Sequence, residues 1–95
     1  MITHVVLFQM NEPARDHAEA VAARLRAMEG RVEGLDSIEV GLDVNRGPRA
    51  FDLCLITRHA SAEALAAYQA DPVHGEVKAF IGEVSSAAAV VDFES

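Results

Sequence analysis

The chain has 95 residues, which is room for one domain and not for two. Hydrophobic residues make up 51 % and charged residues 24 %, but seventeen of the apolar residues are alanine, so a partner subunit would help so short a chain close its core. A net charge of −7, with one lysine (Lys78) and seven scattered arginines, argues against nucleic acid or an anionic membrane as partner.

Ile2 to Gln9 is rich in β-branched residues and ends at Asn11 and Pro13, which predicts a first strand. From Pro13 the period changes to that of a helix. Ala14, Ala18, Val21, Leu25 and Met28 form one apolar stripe, Asn11 or Glu12 caps its start, and Gly30 stops it. Ser37 to Val44 alternates, with Ile38, Val40, Leu42 and Val44 on one side, as in a strand near a sheet edge. The turn Asn45-Arg46-Gly47-Pro48 leads into a further strand, Phe51 to Arg58. Ser61 caps a second helix running to Ala70, and Asp71-Pro72 breaks it. A further helical piece carries Val73, Val77, Phe80 and Ile81, and Ala87 to Phe93 is the last strand.

The order βαββαβ is the ferredoxin-like pattern of an α+β fold: a four-stranded antiparallel sheet with helices on one face. Three of the strands (Ile2–Phe8, Phe51–Thr57 and Ala87–Phe93) are apolar on nearly every residue, which predicts burial of both sheet faces. Two helices cover one face. The other is expected to pack on a second copy of the same sheet, giving a homodimer.

The single cysteine, Cys54, excludes an intrachain disulfide and reads as an inert core thiol. The N-terminal residues lack the features of a secretory signal, and no apolar run reaches the ~18 residues of a membrane span. A cytoplasmic protein is the expectation. No phosphate-binding glycine loop, serine-nucleophile elbow or helical metal-ligand pair is present, so neither cofactor nor metal is expected.

Among four histidines, His17 reads as a solvated surface residue and His59 as a turn or helix-start residue without a role. His4 stands in phase with Ile2, Val6 and Phe8 in an apolar strand, where an imidazole needs polar partners. Tyr68 lies on the inner side of the second helix, and His74 follows the Pro72 break by a short step. The break can bring those two together above His4, making a small acid/base cluster. The same groups could equally serve only as hydrogen-bonded caps. Asp92, on the last strand, can pair with Arg58 or orient a histidine.

His4-Val5-Val6-Leu7-Phe8, Phe51-Asp52-Leu53, the Tyr68 to His74 segment and Val90-Val91-Asp92-Phe93 resemble the stress-responsive A/B barrel domain family across essentially the whole chain. That resemblance implies a dimeric α+β barrel of ferredoxin-like subunits. Many family members have no established activity. One branch, the plant olivetolic acid cyclases, closes a linear polyketide by aldol condensation without metal or organic cofactor. Its working strand histidine, helix tyrosine and post-proline histidine correspond to His4, Tyr68 and His74. In the wider superfamily the fold also serves cofactor-free monooxygenases, isomerases and haem enzymes, so fold alone chooses no reaction. The reading is therefore a homodimer with an apolar pocket for a small aromatic or polyketide-like carbonyl compound, and with cyclase- or isomerase-like proton transfer at His4, Tyr68 and His74. The alternative is a non-catalytic binding module in which the three residues are buried polar structure.

Overall fold

A computed structural model describes residues 1–95. The elements run β1 (Ile2–Met10), α1 (Glu12–Arg15), α2 (Ala18–Arg26), β2 (Ser37–Leu42), β3 (Leu53–His59), α3 (Ala62–Ala70), α4 (Pro72–Val84) and β4 (Ser85–Glu94). The four strands form one antiparallel sheet in the order β2-β3-β1-β4. This is the ferredoxin-like arrangement that the element order predicts.

Strand phase decides which side chains meet the helices. His4, Val6 and Phe8 of β1 and Leu53, Leu55, Thr57 and His59 of β3 are buried on the helix side. There they join Val21, Leu25 and Met28 from the first helical region and Val77 and Ile81 of α4. Thr3 apart, the alternate positions are less covered, and Leu7 (40 %), Val91 (63 %) and Phe93 (47 %) remain exposed. The outer face of the sheet is thus apolar and uncovered within one subunit. β4 is solvent-accessible along nearly its whole length, because the helices stop short of it.

The first helix is not continuous. Asn11 caps α1, its side chain accepting the Ala14 amide at 3.2 Å, but the helix closes after Arg15 and restarts at Ala18. His17 occupies the start of α2, exposed and without a capping bond, in keeping with a surface role. α2 also ends at Arg26, before Met28, in a run of turns through Gly30 (φ 74°) and Gly34 (φ 78°). β2 stops at Leu42, so Val44 leaves the apolar face and stands 94 % exposed. Cys54 is half-buried on the outer sheet face and not in the core, its thiol pushed up chiefly by burial.

The β2–β3 connection is tied down by a buried carboxylate. Asp52 accepts the Met10 amide at 2.7 Å and Arg46 Nη2 at 2.8 Å, with Arg15 Nε at 3.4 Å. Burial alone would raise its pKa, but the bonds from Arg46 and Met10 and the charge of Arg15 outweigh that and hold it below the usual range. Arg46 itself takes a left-handed conformation (φ 54°), and its amide donates to Asp43 Oδ2 at 2.8 Å.

Candidate functional site

The break between α3 and α4 builds the site. Ser61 caps α3 by accepting the Ala64 amide at 3.1 Å. Pro72 cannot continue that helix and forces Asp71 into an extended conformation (φ −66°, ψ 134°). Asp71 then caps α4, accepting the Val73 amide at 2.8 Å, and its other oxygen accepts the Glu33 amide at 3.1 Å. The chain turns sharply at this one residue. As a result Tyr68, in the last turn of α3, and His74, in the first turn of α4, pack together with ring centroids 4.4 Å apart and their planes tilted by 55°.

Beneath them lies β1. The His4 ring is 6.2 Å from that of Tyr68, and its Nδ1 contacts Asp92 Oδ1 on β4. The register explains that pairing, since His4 and Asp92 face each other directly across β1 and β4. A carboxylate only accepts, so His4 Nδ1 carries the proton and Nε2 is the ring's remaining polar atom. Asp92 therefore orients a histidine, whereas Arg58 lies 3.9 Å from Glu39 instead.

His59 is the residue the sequence reading missed. It is not in a turn: it ends β3, is 0 % exposed, and packs 4.8 Å from the Tyr68 ring. Its Nδ1 donates to the Gly34 carbonyl at 2.7 Å, and its Nε2 meets Thr57 Oγ1 at 2.8 Å. The alternation Leu53, Leu55, Thr57, His59 was the available signal, because period two continues the inward face to the strand's end.

A cavity of about 480 Å³ opens between the sheet and α4, within the ordinary range for small-molecule sites. Its floor and walls are apolar, from Val6, Phe8, Leu55, Val77, Ile81 and Val90, and its polar side carries His4, Tyr68, His74 and Asp92. Two buried polar atoms there have no hydrogen-bond partner, Tyr68 Oη and His74 Nδ1. Burial pushes the Tyr68 phenol up to about 12, with the neighbouring Thr57 hydroxyl acting the other way. Burial likewise lowers His74, helped by the charges of Lys78 and His4 against the opposing effect of the Gln69 backbone and Asp71. At neutral pH the cavity thus holds a neutral phenol that can donate and a neutral imidazole that can accept. A second recess, of about 470 Å³, lies at the far end of the sheet beside Leu7, Cys54 and Phe51 and contains no histidine. No three His, Cys, Asp or Glu side chains converge as a metal-ligand set, and no helix is long and apolar enough to cross a membrane.

Similar structures share the whole fold. A dimeric ferredoxin-like protein of unknown function from Thermobifida fusca is 23 % identical, with a TM-score of 0.86 over 99 % of this chain and 90 % of that one. An Arabidopsis thaliana protein is 19 % identical, with a TM-score of 0.88 over 100 % and 95 %. An antibiotic biosynthesis monooxygenase is 14 % identical, with a TM-score of 0.79 over 100 % and 98 %. No curated protein matches the chain. The description of the stress responsive A/B barrel domain matches residues 2–95, and the chain belongs to that family.

Proposed function

We propose that the protein is a homodimer whose subunit binds a small aromatic or polyketide-like carbonyl compound in the cavity and catalyses proton transfer on it. The observation that carries this reading is the pair of buried, unpartnered atoms, Tyr68 Oη and His74 Nδ1, in the wall of one apolar cavity. Buried polar groups are ordinarily satisfied, so a pair left open together suits a ligand that brings both an acceptor and an acidic proton. An enolisable carbonyl compound does so. Tyr68 donates to the carbonyl oxygen while His74 Nδ1 removes the adjacent C–H proton. The electron pair of that bond forms the C=C bond of the enolate as the carbonyl π pair moves onto the oxygen, and the imidazolium returns a proton to carbon or oxygen. His4, oriented by Asp92, completes the polar side without itself receiving the proton.

The outer sheet face supports the dimer, since Leu7, Val91 and Phe93 form an apolar surface of the kind that a second sheet covers. The Thermobifida fusca neighbour is described as dimeric. Sedimentation should give a dimer for the native chain and a monomer for Val91→Glu.

The chemical reading is tested without knowing the natural substrate. In heavy water, a methyl ketone such as 2-acetylnaphthalene should exchange its methyl protons faster with protein than with buffer alone. His74→Ala and Tyr68→Phe should each reduce that exchange by about a hundredfold or more, the usual scale for loss of an acid/base group. Exchange at the buffer rate in the native protein leaves the non-catalytic binding module as the correct reading. Exchange unchanged by either substitution removes both residues from the mechanism.

A further inference from the structure

The chain's single lysine stands at the mouth of the cavity. Lys78 is among the residues lining it and lies one helical turn beyond His74 on the same face of α4. Its neighbours at three and four residues' distance, His74, Gly75, Ile81 and Gly82, include no carboxylate. It enters none of the chain's salt bridges. The two acidic groups closest to the polar side are already engaged, Asp92 with His4 and Asp71 with the Val73 and Glu33 amides. In a protein of net charge −7, this mouth carries an uncommitted cation.

We propose that the cavity's ligand is an organic acid, with its carbonyl oxygen at Tyr68, the adjacent C–H at His74, its apolar body between Val6 and Val90, and its carboxylate at Lys78 about one helical turn away. This inference rests on the cavity reading above and adds the charge of the ligand to it. Lys78 is then a specificity-determining residue that selects the anion over its neutral ester. It takes no part in proton transfer.

The test uses 5-oxodecanoate and its methyl ester, which share chain and ketone and differ in charge. The chain has one tyrosine and no tryptophan, so intrinsic fluorescence reports Tyr68 alone as either probe binds. The acid should bind about fivefold more tightly than the ester, the scale of a partly solvated ion pair. That preference should vanish in Lys78→Met, persist in Lys78→Arg, and shrink for the native protein as salt is raised. Equal affinity of acid and ester, or a preference that survives in Lys78→Met, overturns the assignment while leaving the cavity reading intact. Binding of neither probe at Tyr68 overturns both.

Discussion

Tyr68 gives the most direct access to the energetics of the site, because the tyrosinate absorbance band of this chain comes from one residue. Its hydroxyl is enclosed without a close hydrogen-bond partner, and burial, opposed by the Thr57 hydroxyl, lifts its ionisation from the ordinary 10 to about 12. That shift corresponds to roughly 3 kcal/mol of preference for the neutral phenol in the folded protein. The sign follows from proton binding. Between pH 10 and 12 the folded chain keeps the Tyr68 proton while the unfolded chain releases it. Stability attributable to this group is whole below pH 10 and is lost as pH rises toward 12, by roughly 3 kcal/mol. An absorbance titration of the folded protein should therefore place the midpoint near 12. Urea unfolding across the same interval should show the loss in the native chain and its absence in Tyr68→Phe. Comparing the two cancels Cys54, whose thiol burial also shifts upward. A midpoint near 10 in folded protein would refute the enclosed, unpartnered phenol and the donor role built on it.

Three further outcomes follow from the packing. Gly34→Ala should cost more than about 2 kcal/mol in chemical unfolding and disturb the His59 resonances. Its φ of 78° favours glycine, and an added Cβ would stand 2.1 Å from the Ala64 carbonyl oxygen. Asp52→Asn should destabilise by about 1 kcal/mol at neutral pH, since the half-exposed Arg46 loses its charged partner while solvent still screens the guanidinium. Because the folded Asp52 carboxyl is depressed, that difference should persist above the ordinary carboxylate range and disappear as pH falls through the folded value. The His74 ring should titrate by NMR below 6.5, with stability declining as pH drops below that ordinary value because the buried ring resists charging. A His74 midpoint at or above 6.5 would place the ring in solvent.

Much of this architecture is local and therefore readable in the residues. β-branched runs bounded by turn formers mark the strands, Asn11 and Ser61 cap helices by short-range bonds, and Pro72 ends α3 by removing a donor. The convergence of Tyr68 and His74 belongs to this class, since one extended residue, Asp71, brings them together. What was not legible depends on partners distant in sequence. His59 is held by the Gly34 carbonyl, 25 residues away, and the bond of His4 to Asp92, 88 residues away, was readable only as one of two roles open to Asp92. Neither bond leaves a trace in local periodicity. The interruption at Asp16 and His17 is hidden for the opposite reason: the apolar stripe from Ala14 to Met28 runs through it without a Gly or Pro to mark it. Val44 keeps the strand's alternation, yet the chain has already turned toward the Asp52 anchor.

The central claim is that the cavity beneath α4 receives a carbonyl compound at Tyr68 and His74. Heteronuclear NMR of isotopically labelled protein, titrated with 2-acetylnaphthalene, addresses it directly. The account predicts saturable shifts concentrated at Tyr68, His74, His4 and Val90, with the outer-face residues Leu7 and Val91 unmoved. Shifts confined to the outer face, or none that saturate, would contradict it.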